Sequence, residues 1–87
     1  MPYTVRFTTT ARRDLHKLPP RVLCAVVEFA FGDLSREPRR AGKPLRRELA
    51  GMFSAHRGPY RLLYRIDAEH TTVVILRVVH RADIYRR

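Results

Sequence analysis

The sequence predicts one α+β domain over residues 1–87, in the order β-α-α-β-β-β. A mainly antiparallel sheet should carry a helical hairpin packed on one face. Three observations support this. Apolar residues alternate with period two near the start and again in three runs after residue 51. Between these regions the apolar spacing switches to the helical i, i+4, i+7 pattern. The last three runs are joined by connections too short for parallel crossovers, which favours antiparallel hairpins and a layered α+β arrangement.

Tyr3, Val5 and Phe7 share one face of a first strand. Thr8-Thr9-Thr10 offers an N-cap, and Ala11, Leu15 and Leu18 form the stripe of a short helix that Pro19-Pro20 ends. A second helix is expected from about Arg21 to Ser35, with Leu23, Val27, Ala30 and Leu34 in register and Val26 and Phe29 widening the stripe. Cys24 lies within it and reads as a small core or boundary residue. The stretch from Glu37 to Pro44, with two prolines, a glycine and three basic residues, reads as a loop. Leu45 and Leu49 then mark a brief apolar contact before Gly51. Strands follow at Met52 to Arg57, Tyr60 to Asp67 and Thr71 to Val79, turned by Gly58-Pro59 and by Asp67-Ala68-Glu69-His70. In the middle one, Tyr60, Leu62, Tyr64 and Ile66 point to the core, and Arg61, Leu63, Arg65 and Asp67 point away. The sheet face opposite the helices is therefore a candidate basic surface.

Charge narrows the function. The chain carries 18 Lys+Arg against 8 Asp+Glu, a formal +10. Residues 1–37 contribute six cations and four anions, and residues 38–87 contribute twelve and four, so +8 of the excess lies in the second segment. Such self-repulsion opposes compaction unless a polyanion offsets it, and nucleic acid is the leading partner class. A lone Cys24 excludes an internal disulfide and a multi-thiolate zinc site. The longest aliphatic run, Val73 to Leu76, is too short to span a membrane. The opening residues lack the apolar region of a secretory signal, so the cytoplasm is the expected compartment.

No GxGxxG, phosphate loop, HExxH or CxxC occurs, and no metal or cofactor is expected. The available side chains suit metal-free RNA phosphodiester cleavage. That reaction needs a base for the 2′-hydroxyl, cations for the phosphorane-like transition state and an acid for the leaving 5′-oxygen. Arg57, Arg61, Arg65, Arg81, His56, His80 and Tyr85 are of those types. Each also has a plain structural role open to it: solvated arginines on a strand, histidines hydrogen-bonded near turns, a tyrosine ring anchoring the tail.

The sequence resembles the RelE/ParE toxin superfamily over nearly its whole length. The resemblance lies in Tyr3 to Thr8 with Ala11 to Leu15, in Gly42-Lys43-Pro44-Leu45, and in Leu49 to Ser54. It is most specific in Gly58-Pro59-Tyr60-Arg61-Leu62-Leu63-Tyr64-Arg65-Ile66-Asp67, in Val73 to Val78, and in His80-Arg81-Ala82-Asp83-Ile84-Tyr85. It implies a RelE-type toxin of a type II toxin–antitoxin system. Such toxins cut mRNA in the ribosomal A site without metal, leave a 2′,3′-cyclic phosphate and a 5′-hydroxyl, and are neutralised by a RelB-like antitoxin. The toxin–antitoxin pair, rather than the toxin alone, meets operator DNA.

By the same resemblance, Arg61 is the transition-state arginine, Arg81 a C-terminal arginine placed against phosphate charge, and Tyr85 the terminal aromatic. His80 is a candidate acid or base. Lys43, Arg46, Arg47, Arg57 and Arg65 are expected to contact RNA or the ribosome. The chain departs from the best-studied members in the strand before Gly58, where Phe53-Ser54-Ala55-His56-Arg57 has no lysine. His56 then becomes a candidate general base, because an imidazole can exchange protons near neutrality. The competing family implication is a ParE-type inhibitor of DNA gyrase on the same fold.

Overall fold

The computed structural model describes residues 2–84. Its elements are β1 (Thr4–Phe7), α1 (Thr9–His16), α2 (Pro20–Phe29), α3 (Pro38–Ala41), β2 (Lys43–Pro44), β3 (Met52–Arg57), β4 (Tyr60–Asp67), β5 (Thr72–His80) and α4 (Arg81–Ile84). The α+β class and the helix-on-one-face layering are as predicted. Five strands, not four, form the sheet, in the order β1-β5-β4-β3-β2. β1 runs parallel to β5 and every other pair is antiparallel.

Two predicted segments need correction. The second helix does not run unbroken to Ser35; after Phe29 it widens into a π turn at Ala30–Leu34. The looser winding lets Val26, Phe29, Ala30 and Leu34 all enter the core. The predicted loop from Glu37 to Pro44 contains α3 and the edge strand β2. Pro38 starts α3 at a position where its missing N–H costs nothing. Cys24, expected at the core or its boundary, is exposed.

The core lies between the helices and one sheet face. Ala11, Val26, Phe29, Ala30 and Leu34 pack against Ala55, Leu62, Tyr64, Val73, Ile75 and Val78. The alternation read from β4 holds, with Leu62 and Tyr64 fully buried. Thr8 caps α1, its Oγ1 accepting the Ala11 N–H at 3.1 Å and donating to the Leu76 carbonyl at 3.0 Å. Tyr64 OH donates to the Pro38 carbonyl at 2.7 Å, pinning α3 over the end of the core.

A bulge in β5 shapes the working face. Leu63 pairs with Arg77 but Tyr64 pairs with Ile75, so Leu76 is an extra residue. The inward positions of β5 accordingly run Val73, Ile75, Val78, and Arg77 is spared burial. Between β3 and β4 the loop is only Gly58-Pro59. Gly58 takes φ +57, the left-handed conformation that a two-residue hairpin loop demands at its first position.

Candidate nucleic-acid interface

Register fixes which side chains share the face away from the helices, because paired residues in a sheet point the same way. β4 contributes Arg61, Leu63 and Arg65; β3 contributes His56, Ser54 and Met52; β2 contributes Lys43 opposite Ser54. From β5 come Val74, Arg77 and Val79, and from β1 comes Arg6 opposite Val74. Five cations and a histidine thus stand on one sheet surface.

At one end of that surface the predicted catalytic types gather. His56 and Arg61 are direct register partners, which sets their Cβ atoms about 5 Å apart. Arg61 is half-buried, and its Nε–H is buried with no hydrogen-bond partner among the described residues. Val79, the β5 partner of Arg61, lies two positions before Arg81, and the Arg81 N–H is tied to the Pro59 carbonyl at 2.7 Å. The backbone therefore brings Arg61, Arg81 and His56 to the same corner of the sheet.

His80 reaches that corner from the other side. It pairs with Tyr60, so both rings lie on the helix-facing side, edge to face with centroids 5.2 Å apart. Its Nδ1 accepts the Ala82 N–H at 3.1 Å, a cap on the short α4. His80 and Arg61 do not face each other across one surface. Tyr85 lies outside the described residues.

The predicted RNA contacts divide. Arg65 and Lys43 are exposed on the open face, Arg65 about 13 Å along the strand from Arg61. Arg46 and Arg47 are exposed in the turn before β3, where Arg47 adopts φ +60. Leu49 from the same turn lines a cleft together with Leu63, so this segment stands at the border of the open face. Arg57 departs from expectation. Its register partner Tyr60 puts it on the helix side, where its guanidinium covers the Phe29 ring at 4.3 Å and Nη2 lies 3.7 Å from Asp33. One residue's offset from His56 decides this, since successive strand side chains alternate.

Three residues of the site were not singled out from sequence. Ser54, 7% exposed, lies on the open face, and its Oγ has no partner among the described residues. Arg77 and Asp14 are joined by a forked contact, Nε to Oδ2 at 2.8 Å and Nη2 to Oδ1 at 3.3 Å. This hydrogen bond raises the already high pKa of Arg77. The signal for Arg77 was a cation inside the apolar run from Val73 to Val79, where strict alternation would bury it; only a bulge makes room. The trio of metal-ligating types found among the described residues, Asp67, Glu69 and His70, sits in the β4–β5 turn at the other end of the sheet from Arg61. There Asp67 accepts bonds from the His70 backbone at 3.2 Å and pairs with its Nδ1 at 2.8 Å, and the side-chain bond lowers the Asp67 pKa.

Comparison with known proteins places this surface in a family. A model described as the ParE toxin of the type II toxin–antitoxin system matches residues 5–85. The chain belongs to the RelE/ParE family of toxins. Toxin RelG of Mycobacterium tuberculosis is 90% identical over 87 residues, covering all of both chains. Toxin RelE of the same organism is 49% identical over 85 residues, covering 98% of this chain and 88% of that protein. Among solved structures, a chain of the RelBE2 toxin–antitoxin complex from M. tuberculosis aligns with TM-score 0.90 and 88% identity, covering 92% of this chain and 99% of the other. The Escherichia coli RelBE complex has a chain of the same fold at TM-score 0.73 and 22% identity, covering 90% and 95%. In this RelE/ParE toxin the corner that unites Arg61, Arg81 and His56 is the candidate site.

Proposed function

We propose that this toxin is a metal-independent endoribonuclease that cuts mRNA in the ribosomal A site and is silenced by a RelB-like antitoxin. The observation that carries this reading is Arg61: half-buried, its Nε–H without a partner among the described residues, on an open basic face with His56 directly opposite. A buried donor without a partner is costly and calls for a function. A phosphate oxygen is the acceptor that fits a guanidinium fork.

Cleavage then follows from these side chains. The 2′-oxygen of the nucleotide before the cut attacks phosphorus and the bond to the 5′-oxygen breaks. The products are a 2′,3′-cyclic phosphate and a 5′-hydroxyl. His56 takes the 2′-hydroxyl proton, and Arg61 and Arg81 neutralise charge gathering on the non-bridging oxygens. Tyr85 or His80 supplies the proton to the leaving oxygen. Because no acid stands beside His56 on the open face among the described residues, the ribosome contributes by holding the message in line for attack. Free RNA is accordingly a poor substrate. Such a target puts the toxin in the cytoplasm.

The antitoxin contact follows from charge. An acidic, amphipathic segment of a RelB-like protein would cover Arg61 or displace the segment after His80. The solved toxin–antitoxin complexes of relatives support a partner of this kind. Operator DNA is met only through that complex.

One observation favours a second reading: the matching family description is that of ParE, whose resemblance implies gyrase as target. Mapping of cut sites and end groups on ribosome-bound mRNA separates the two. Cleavage inside the A-site codon with cyclic phosphate ends supports the ribonuclease. Intact mRNA together with loss of gyrase supercoiling supports the ParE reading.

A further inference from the structure

Where β1 stops, β5 keeps only β4 as a neighbour, and a cleft of about 510 Å³ opens beside its free edge. β1 pairs no further than Phe7 with Ile75, so the outward N–H of Val78 has no strand to meet. Asp14, from the last turn of α1, fills that role, with Oδ2 accepting the Val78 N–H at 2.9 Å. The same carboxylate, 7% exposed, grips Arg77 through Nε and Nη2. Arg77 itself is 46% exposed, and its Nη1 has no partner among the described residues. A guanidinium held on one edge by a buried carboxylate and open on the other is preorganised to receive an anion.

The rest of the cleft has the character of a nucleotide site. Lys17 brings a second cation, and the edge-to-face pair Tyr60 and His80 brings aromatic surface suited to a base. Leu18 adds apolar lining from the helix side, and Leu63 and Val79 add it from the open face. Of its two acids, Asp14 is committed to Arg77 and Val78, and Asp83 lies on α4.

We propose that this cleft is a nucleotide subsite, in which Arg77, aimed by Asp14, holds a backbone phosphate of the cut RNA strand while Tyr60 and His80 take the attached base. The identity of the ligand rests on the ribonuclease reading above. Arg77 and Lys17 are binding residues, and Asp14 is a positioning residue.

The test is an NMR titration of the free toxin with adenosine 5′-monophosphate, observing Arg77 Nε–H and the Tyr60 and His80 ring protons. All three should shift together, and adenosine without phosphate should bind at least about 10-fold more weakly. Arg77→Lys keeps a cation against Asp14, so it should retain the wild-type melting temperature while weakening the nucleotide about 10-fold. Lys17→Ala should weaken it by a smaller factor, and Arg40→Ala, on α3 and outside both the cleft and the open sheet face, should leave it unchanged. Asp14→Asn should weaken binding while the Tyr60–His80 ring contact persists. Shifts confined to Arg61, Arg65 and His56, or binding indifferent to Arg77→Lys, overturn the proposal.

A second arm asks whose phosphate is held. Methylphosphonate is placed in turn at each message phosphate of the A-site codon and its neighbours. At one position it should slow the wild type to the Arg77→Lys rate without slowing that variant further. Equal slowing of both proteins at every position excludes the message as the source. The titration needs no ribosome, so a toxin that leaves mRNA intact refutes the ribonuclease reading while the cleft is judged separately.

Discussion

His56 and Arg61 stand opposite each other across the β3–β4 hairpin, on the open side of the sheet and next to the pair that closes the Gly58-Pro59 loop. Arg61→Ala is expected to cut A-site cleavage by about 10²-fold or more, the scale of losing one transition-state donor. Arg61→Lys should recover little, since a point charge cannot replace the fork. The variant's stability carries a further signature. Removing the buried Nε–H, which has no partner among the described residues, relieves a cost rather than breaking a bond. Arg61→Ala should therefore melt no lower than wild type. A clear drop in melting temperature with cleavage intact would show that Arg61 is structural.

Arg57 and Arg65 give the opposite contrast. Arg57 lies over Phe29 on the helix side, a cation–π contact worth about 1 kcal/mol. Its removal should lower stability by about that amount and leave cleavage unchanged. Arg65, exposed on the open face, should behave in reverse: Arg65→Ala keeps the melting temperature and weakens ribosome association, most visibly at low salt. Urea melts and cleavage rates on the two variants check both halves.

This pair also shows how far sequence reasoning reaches. Alternation along β4 put Arg61 and Arg65 outward and Leu62 and Tyr64 inward, because one face of that strand is buried and the period is two. The same rule applied to β3 would have turned Arg57 away from His56, but residue type alone grouped them. The bulge at Leu76 could not be read, since it depends on the pairing of β5 with β4. With it went Arg77 and its contact with Asp14, 63 positions away in the chain. The strand β2 was hidden for a related reason: two residues, Lys43 and Pro44, carry no periodicity, and only the partner β3 makes them a strand.

Gly42 is constrained by space rather than by its dihedrals. Its φ of −140° suits any residue, but a Cβ there would meet the Tyr64 hydroxyl and lie 2.7 Å from the Ser54 carbonyl oxygen. Gly42→Ala is expected to destabilise by about 2 kcal/mol, the scale of overpacking. Tyr64→Phe removes one of the two clashing atoms, so the double variant should be less destabilised than the sum of the singles. A double-mutant cycle in urea measures that coupling, which should exceed about 0.5 kcal/mol.

Tyr64 also makes stability fall in alkali in a defined window. Burial pushes its pKa from 10.0 up to about 12. The folded phenol stays neutral while the unfolded chain ionises, so its contribution is complete below pH 10. It drains away as pH rises from 10 and is gone above about 12. The loss is on the order of 2–3 kcal/mol, because each tenfold change in an ionisation constant corresponds to about 1.4 kcal/mol. Tyr64→Phe forfeits the bond to the Pro38 carbonyl, about 1 kcal/mol at neutral pH, yet has no phenol to titrate. Its urea midpoint should lie below wild type at pH 8, decline less steeply above pH 10, and meet or cross it before pH 12. Parallel curves from pH 8 to 12 would mean that the buried phenol ionises in the folded state as readily as in the unfolded chain.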